Sequence, residues 1–357
     1  MYYFEQEDFS AVHIEPTNAC NFSCWMCPRE VMTRKIGFMK LDQFKDIVLD
    51  LAAGNFLDEL HFGGFGEPTL HPELIEMVAF TKKKTNFLIS LTSNASQFKK
   101  KDYITNLLNS GLDVLVLSFR HSVESKLNES CPTSFNYDDF ESSILELVDT
   151  KLKTNSPMRI DIAFLKDTLY SRYVLDIKKN EFLNEELIDK FLKKLEKVIG
   201  EGIPSFRKLT SGFLSGVKKL DHIKITKDIF LRFDGLGPWT SSVEKYKNKE
   251  KSFPSNFGSC LGLKTHFSIY CDGTVSTCCG DFDAKNVLGN IFEEKSIKQI
   301  LSSKKAIRFA DALSKKNMPT LTCKLCRGGK NRKEKWVNAL SSMALKDLTN
   351  PKVIRKK

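Results

Sequence analysis

The strongest constraint on the fold is the alternation of short apolar runs with amphipathic stretches over residues 1–165 of this 357-residue chain. The apolar runs have the length of strands, and the stretches between them are typical of amphipathic helices. Strands that alternate with helices indicate parallel β/α units, and nearly continuous apolar strands are buried on both faces of their sheet. The pattern therefore predicts a parallel sheet that right-handed crossovers wind into a barrel or a doubly wound sheet.

Five strands and four helices are predicted in this part of the chain. The strands are expected at AVHIEP (11–16), ELHFGG (59–64), FLISLTS (87–93), DVLVLSF (113–119) and MRIDIAF (158–164). The helices are expected at about 41–53, 72–84, 100–110 and 138–152. Further along, NEELIDKFLKKLEKVIG (184–200) has helical spacing, and DHIKIT (221–226) is interpreted as a sixth strand.

Composition narrows the class of protein. With 41% hydrophobic and 28% charged residues the chain can bury a sizeable core, and no apolar run reaches the roughly 20 residues that a membrane span needs. The N-terminus MYYFEQEDFS lacks the features of a secretory signal, so a cytoplasmic location without a membrane partner is expected. The formal charge of +11 comes largely from lysines spread along the chain, and no nucleic-acid motif is present. Binding to nucleic acid is therefore not expected.

Ten cysteines in a reducing compartment are better explained as metal ligands or redox groups than as disulfides. Three of them, Cys20, Cys24 and Cys27, directly follow the first predicted strand, at the strand end where β/α barrels carry their chemistry. Their spacing lets one loop bind three irons of a cubane iron–sulfur cluster and leaves the fourth iron without a protein ligand. The alternative is a zinc site completed by a distant residue, or three unrelated thiols.

Together with the glycine-rich turn HFGGFGEP (61–68), this motif resembles the radical S-adenosylmethionine (SAM) superfamily. The resemblance implies that a [4Fe–4S] cluster on the three cysteines binds SAM through its open iron, and that the ends of strands two to four contact SAM. The implied contacts are Gly63, Gly64, Gly66, Glu67, Ser93, Asn94, Ser118 and Arg120. The family often has an acid at the position of Arg120 and an aromatic residue at the position of Met26.

A second cysteine group begins at Cys260. The run HFSIY, the turn at Asp272 and Gly273, and TVST predict a β-hairpin that brings Cys260 near Cys278. The motif CKLC (323–326) follows. This pattern resembles the C-terminal extension of SPASM and twitch radical SAM enzymes, and the absence of further cysteines after CKLC points to the shorter twitch form with one auxiliary [4Fe–4S] cluster. The implied ligands, for which zinc is the rival metal, are Cys260, Cys278, Cys323 and Cys326.

Three further cysteines are Cys131, Cys271 and Cys279. Adjacent residues of a strand point to opposite faces, so Cys278 and Cys279 cannot readily serve the same corner of a cluster. Cys278 is assigned as the ligand from its spacing after Gly273, and the other three are interpreted as small buried thiols. The sequence leaves open whether Cys271 or Cys279 replaces an assigned ligand.

These patterns predict an α/β protein with a partial (β/α)6 TIM-like barrel and a C-terminal twitch domain that contains the hairpin. Four divisions are expected. They are a radical SAM barrel at 1–165, an insertion with the last barrel strand and a linker at 166–256, the twitch domain at 257–330, and a basic tail at 331–357.

The resemblance implies a dehydrogenase-type oxidoreductase that cleaves SAM, removes a substrate hydrogen through the 5′-deoxyadenosyl radical, and passes the second electron to the auxiliary cluster. It also implies a flavodoxin- or ferredoxin-type reductant. Peptide maturases commonly carry a leader-binding domain, and the barrel here starts at residue 11. The expected substrate is therefore a sugar- or aminocyclitol-type alcohol.

The catalytic residues are less well defined by the sequence. Arg120 and Asp234 are the candidates, and Arg232 and Trp239 lie beside Asp234 in LRFDGLGPW (231–239). The same residues would also be explained by packing of the linker. Two alternative functions remain: a radical SAM maturase that modifies a peptide or protein, and a non-catalytic zinc-bound scaffold.

Overall fold

The computed structural model describes residues 9–24, 27–54, 57–119, 135–166, 184–210, 222–235 and 251–344. In these ranges ten strands form one mixed sheet. The strands are β1 Phe9–Ile14, β2 Leu57–Phe62, β3 Leu88–Ser93, β4 Val114–Leu117, β5 Arg159–Lys166, β6 His222–Lys224, β7 Ile229–Gly235, β8 His266–Ile269, β9 Thr274–Ser276 and β10 Val287–Asn290.

The helices of the described ranges flank this sheet. They are α1 Leu41–Gly54, α2 Leu74–Lys84, α3 Lys101–Leu108, α4 Tyr137–Thr154, α5 Glu185–Ile199, α6 Phe206–Thr210, α7 Ile291–Glu294, α8 Ile297–Leu301, α9 Lys304–Ser314, α10 Leu321–Cys326 and α11 Arg332–Ala344. Short 3-10 turns occupy Pro28–Val31 and Pro68–Leu70. None of the helices in the described ranges is long and apolar enough to cross a membrane.

Six neighbouring strands, β1 to β5 and β7, run parallel and alternate with helices. Their outward side chains, among them Val12, Leu60 and Leu91, are fully buried in one core with helix residues such as Phe44 and Ile104. Alternate residues of each strand point to the opposite face, into the barrel. The predicted partial (β/α)6 barrel is confirmed.

The predicted strand within DHIKIT (221–226) is present, but it is not the sixth strand of the barrel. Residues 222–224 form β6, an antiparallel edge strand, whereas the sixth parallel strand is β7, which pairs with β5 along seven residues. The reason is packing, since Ile229, Leu231 and Phe233 of β7 are buried at alternate positions, whereas β6 buries only Ile223. A strand with one buried residue cannot close a barrel core.

The predicted C-terminal hairpin is confirmed, and it extends the barrel sheet. Strand β8 pairs in parallel with β1, and β9 and β10 follow antiparallel. The hairpin turns at Asp272, whose Oδ1 accepts from the Thr274 amide, and at Gly273, whose φ of +81° favours glycine. The pairing of β8 with β1 holds the second cysteine group beside the strand that carries the first.

Candidate active site

A cavity of about 290 Å³ lies at the carboxyl ends of β1 to β4. The first cysteine group lines it, together with every predicted SAM contact that falls in the described ranges. These residues are Cys20, Cys24, Cys27, Gly63, Gly64, Gly66, Glu67, Ser93, Asn94 and Ser118. Arg120 and Met26 lie outside the described residues. Motifs far apart in sequence meet here because the carboxyl ends of parallel strands share one edge of the sheet.

Hydrogen bonds hold the cysteine loop in a compact turn. The Cys27 amide donates to the Cys24 carbonyl at 2.9 Å, and the Phe22 amide donates to Cys20 Sγ at 3.4 Å. Arg29 Nη1 donates to the carbonyls of Cys20 and Phe22 at 3.1 and 3.2 Å. The loop therefore keeps its three cysteines on the cavity wall.

The chemistry of these thiols fits an iron–sulfur cluster. Burial raises the pKa of the Cys20 thiol to about 11, so without a metal this thiol stays protonated at neutral pH. A coordinating metal deprotonates such a thiol outright. Three thiols in one loop, with a backbone amide donating to one sulfur, suit a cluster that keeps one iron open to the cavity.

Glu67 is committed mainly to protein partners. Its Oε1 accepts from the amide and hydroxyl of Thr69 and from Ser93 Oγ, and its Oε2 accepts from the Asn94 amide. Burial raises the pKa of Glu67, and these four hydrogen bonds oppose that shift. A carboxylate has about four acceptor positions, and the four donors of the protein match that number. Glu67 thus joins the end of β3 to the turn after β2.

Ser93 and Asn94 support the cavity wall. The Ser93 hydroxyl donates to Glu67 and accepts from the Ala95 amide at 3.0 Å. The Asn94 amide group donates to Asn21 Oδ1 at 3.0 Å and lies 3.9 Å from Cys20 Sγ. The end of β3 therefore holds the cysteine loop in place, a role that the sequence analysis did not anticipate.

Two glycines of HFGGFGEP are required by close packing. A Cβ on Gly66 would lie 2.1 Å from the Thr17 carbonyl oxygen and 2.7 Å from Asn18 Cα. A Cβ on Gly63 would lie 2.5 Å from His61 Nε2. Without a side chain at Gly66, the turn passes directly against the segment that leads into the cysteine loop, and the absence of one at Gly63 leaves room for the His61 ring.

A buried ion pair links both cysteine-bearing parts of the chain. The Arg34 guanidinium donates to both oxygens of Glu15 at 2.7 and 2.9 Å, and the Phe65 amide donates to Glu15 Oε2. Arg34 also donates to the Phe282 carbonyl and lies 4.1 Å from the centre of the Tyr270 ring. A bidentate pair of this kind fixes geometry as well as charge. It fastens the segment after the cysteine loop to the C-terminal hairpin region.

Cysteines that lie far apart in the sequence of the second group come close together in the structure. Burial, and then the nearby Cys260 thiol, raises the pKa of Cys278. Burial also raises the pKa of Cys323 to about 12, with a further contribution from Cys260 and Cys326. The four thiols therefore lie close enough to oppose each other's ionisation, which a shared metal group would relieve.

Nitrogen donors approach three of these sulfur atoms. The Gly262 amide donates to Cys260 Sγ at 3.3 Å, Arg327 Nη1 lies 3.5 Å from Cys326 Sγ, and Asn286 Nδ2 lies 3.8 Å from Cys323 Sγ. Hydrogen bonds to the sulfurs are among the features that set cluster potentials. The donor set fits a closed four-cysteine cluster.

Of the remaining cysteines, one is buried as predicted and one is not. Cys271 is buried, as predicted, and Cys131 lies outside the described residues. Cys279 was predicted to be a small buried thiol, but its side chain is exposed and lines the cavity. Burial, and then the nearby Cys260 thiol, raises the pKa of Cys279 to about 11, with a further contribution from Cys326. The adjacent thiols Cys278 and Cys279 therefore both lie beside Cys260.

The structure does not bring Asp234 to the cavity. Arg232 and Asp234 lie on β7 and pair with each other at 2.8 Å, and neither is among the described residues that line the cavity. Trp239 lies outside the described residues.

Three histidines inside the barrel were missed by the sequence analysis. His13 on β1 lies between His61 on β2 and His266 on β8, with ring centroids 5.0 and 5.1 Å apart. Burial lowers the pKa of all three, that of His61 and of His266 to about 4, so they are neutral at pH 7. The signal that could have found His13 and His61 is their position, since each alternates with the core residues of its strand.

Comparison with family models identifies two domains. Residues 14–165 match the radical SAM superfamily, and residues 260–327 match SPASM, an iron–sulfur cluster-binding domain. The first range contains the three cavity cysteines, and the second contains the four of the closed site.

Two curated relatives align with parts of the chain. The tungsten-containing aldehyde ferredoxin oxidoreductase cofactor-modifying protein of Pyrococcus furiosus is 31% identical over 107 residues, which is 30% of each chain. The S-adenosyl-L-methionine-dependent 2-deoxy-scyllo-inosamine dehydrogenase of Niallia circulans is 34% identical over 74 residues, 20% of this chain and 30% of that protein. The chain thus matches about 30% of the length of each relative.

Two solved structures share the fold at low identity. BtrN in complex with AdoMet and 2-DOIA is 16% identical with a TM-score of 0.51, over 88% of this chain and 92% of that one. Streptococcus suis SuiB bound to precursor peptide SuiA is 16% identical with a TM-score of 0.52, over 86% and 67%. Residues 14–165, with the three cavity cysteines, are thus a radical SAM domain, and residues 260–327, with the second cysteine group, are a SPASM-type iron–sulfur domain.

Proposed function

We propose that this radical SAM protein is a dehydrogenase-type oxidoreductase that oxidises a hydroxyl group of a sugar- or aminocyclitol-type small molecule. The observation that carries the proposal is the pairing of two unlike cysteine sites, a three-cysteine site on the cavity wall and a four-cysteine site beside it. An alcohol that becomes a ketone loses a hydrogen atom, a proton and an electron. Two separate redox sites match that requirement.

The residues that would hold the cofactors follow from the geometry. Cys20, Cys24 and Cys27 would hold a [4Fe–4S] cluster with SAM at its open iron, and the four-cysteine site would hold a second [4Fe–4S] cluster. When bound, these groups supply a hydrogen-abstracting radical and an electron acceptor, respectively. Four protein thiols would occupy every iron of the second cluster, so the substrate does not coordinate it. A flavodoxin- or ferredoxin-type reductant would deliver the first electron.

The protein's own part is positioning and exclusion of water. Glu67 and the glycine turn that precedes it line the cavity, where they form the wall that a bound ligand would contact. Phe22 and Phe65 are largely buried and line the same cavity. An apolar wall of this kind protects a reactive centre from solvent.

One relative favours a small alcohol as the substrate, because its name includes such a compound. The Niallia circulans relative is a 2-deoxy-scyllo-inosamine dehydrogenase, and its identity of 34% is confined to 74 residues. This supports an aminocyclitol or a related polyol as the first compound to try.

Modification of a peptide or protein is the second candidate. It is favoured by the Pyrococcus furiosus relative, which is a cofactor-modifying protein, and by the shared fold with SuiB bound to a precursor peptide. The same two clusters would serve this reaction, so the substrate alone separates the candidates.

The deciding experiment is anaerobic reconstitution followed by assay of 5′-deoxyadenosine. The substrates are 2-deoxy-scyllo-inosamine and related polyols carrying deuterium on the oxidised carbon, in parallel with candidate peptides. We expect about eight irons per chain, transfer of deuterium into 5′-deoxyadenosine, and a ketone from a polyol. Deuterium transfer from a peptide alone would establish the second candidate, and a colourless protein with stoichiometric zinc and no SAM cleavage would establish a non-catalytic scaffold.

A further inference from the structure

We propose that His61, Ser90 and Glu59 form a proton relay that takes the hydroxyl proton of the substrate from the cavity toward the amino-terminal end of the barrel strands. The inference rests on the proposed oxidation, because that reaction releases a proton beside the cavity. The family and fold comparisons assign no role to these residues.

The relay is a chain of two short hydrogen bonds. His61 on β2 is paired with Ser90 on β3, and Glu59 lies two residues before His61 on the same face of β2. Ser90 Oγ lies 2.7 Å from His61 Nδ1 and donates to Glu59 Oε1 at 2.5 Å. The imidazole is thus connected to the carboxylate through a single hydroxyl group.

The direction of these bonds determines which nitrogen can accept a proton. A carboxylate only accepts, so the Ser90 hydroxyl donates to Glu59 and its oxygen accepts from His61 Nδ1–H. This assignment of the tautomer comes from the hydrogen-bond network. His61 Nε2 is therefore the unprotonated nitrogen and the basic end of the relay.

This basic nitrogen is at the cavity end. His61 lines the cavity, and the Thr92 hydroxyl lies 3.3 Å from Nε2, which is long for a hydrogen bond from a hydroxyl group. A substrate hydroxyl can replace this weak contact. A Cβ at Gly63 would lie 2.5 Å from Nε2, so the glycine at this position leaves the nitrogen accessible.

The other end of the relay reaches solvent. Glu59 is only partly buried, whereas Ser90 between the two ends is 4% exposed. A proton that arrives at Glu59 can therefore leave the protein at a point away from the cavity. After the transfer the imidazole carries its proton on Nε2. The relay resets when Glu59 has lost its proton to solvent and proton exchange with water has returned the imidazole to the Nδ1–H tautomer between turnovers.

The surroundings of His61 favour passing a proton on over holding it on the imidazole ring. Burial, and then the positive charge of Arg232 on β7, lower the pKa of His61 to about 4. Its other ring neighbour, His13 on β1, is itself kept neutral by burial. An imidazolium is therefore unstable here. The substrate proton moves to Nε2 as the Nδ1 proton moves to Ser90 and the Ser90 proton moves to Glu59, so one proton is transferred and none accumulates on the ring.

Asp234 is the acceptor that the sequence suggested, and it is less suitably placed. Its Oδ1 accepts from Arg232 Nε at 2.8 Å, and it is not among the described residues that line the cavity. His61 combines a basic nitrogen held by one long contact, a place on the cavity wall and a connection to the partly exposed Glu59.

The test compares wild-type holoenzyme with His61→Gln and Glu59→Gln, using SAM and the deuterated polyols described above. The readout is the amount of ketone formed for each 5′-deoxyadenosine. We expect this ratio to fall about 10²-fold in His61→Gln, and to fall in the same direction in Glu59→Gln, which leaves the cavity wall intact. Added imidazole should restore ketone formation to His61→Ala. The matched control is Asp58→Asn, the same change at an exposed position of β2, which should keep the wild-type ratio.

Each outcome bears on one proposal. A wild type that forms ketone, with an unchanged ratio in both His61→Gln and Glu59→Gln, would overturn the relay and leave the proposed oxidation standing. Loss of ketone in His61→Ala without rescue by imidazole, with Glu59→Gln unaffected, would assign His61 a packing role and also overturn the relay. A wild type that forms no ketone from any polyol would overturn the proposed oxidation, and the relay with it. If His61→Gln fails to retain iron, the Glu59→Gln result decides, since Glu59 is partly exposed and lies off the cavity wall.

Discussion

At the scale of single residues, the site depends on side chains and backbone positions whose contacts do not tolerate substitution. Glu67 is 3% exposed and accepts four hydrogen bonds, so its removal would leave donors of Thr69, Ser93 and Asn94 without their partner. Each buried donor that lacks a hydrogen-bond acceptor lowers the free energy of unfolding by about 1–3 kcal/mol. Gly66 is constrained more tightly still, because its neighbours are backbone atoms.

Gly66→Ala should therefore destabilise the protein by about 1–3 kcal/mol or more, and should lower the iron content of the first cysteine site. The new methyl group would meet backbone atoms of Thr17 and Asn18 in the segment that leads to Cys20. The measurements are urea unfolding and iron analysis. Gly202→Ala is the control, because no atom lies within 4 Å of a Cβ there, and it should change the free energy of unfolding by less than about 1 kcal/mol. Equal effects of the two substitutions would contradict this account of the turn.

At the scale of elements, three adjacent strands carry a row of neutral histidines into the barrel. Strand β1 pairs in parallel with both β2 and β8, which places His13 between His61 and His266. Protonating any of them would put a charge among buried neighbours. The acid stability of the protein should depend on this row.

Acidification from pH 7 toward pH 4 should destabilise the protein less steeply in His266→Gln than in the wild type. Burial lowers the pKa of His266 to about 4 from its ordinary 6.5, so between these values the unfolded chain binds more protons and the folded state loses stability as the pH falls. The difference in slope should approach 1.4 kcal/mol per pH unit, an approximate upper value for one group. Urea unfolding of both proteins at pH 7, 6 and 5 measures it. Parallel curves would show that His266 does not titrate in this range.

At the scale of the whole molecule, one sheet carries both cysteine sites. Pairing of β8 with β1, and the Arg34–Glu15 pair that reaches Tyr270 and Phe282, hold the C-terminal segment against the barrel. Breaking a buried pair of this type by removing one partner costs about 3–5 kcal/mol. The closed site is thereby kept next to the cavity.

Cys323→Ala should lower the iron content from about eight to about four per chain, keep SAM cleavage, and reduce the oxidised product. The first site does not use Cys323, whereas the proposed electron acceptor does. Iron analysis and the paired assay of 5′-deoxyadenosine and ketone measure the effect. The control is Cys271→Ala, which removes a buried thiol that belongs to neither site. It should retain both products. Loss of SAM cleavage in Cys323→Ala alone would indicate that the second site is structural.

The elements were largely predictable because their signals are local. Helical spacing and strand-length apolar runs placed α1 and β1 to β5 within a few residues, and the hairpin turn at Gly273 followed from its glycine. The sixth barrel strand was missed because choosing β7 over β6 depends on which strand packs against β5, a contact between segments about 70 residues apart.

What the sequence by itself determined was the set of candidate ligands: three cysteines in one loop, four in another segment, and the glycines and acid of the turn between β2 and α2. These assignments depend on the spacing of residues along the chain, which can be read directly from the sequence. The tertiary structure decided which way each residue faces. It placed Cys279 in the cavity, committed Glu67 and Ser93 to each other, and aligned His61, Ser90 and Glu59 across two strands. Such roles depend on strand register, which is set by long-range packing.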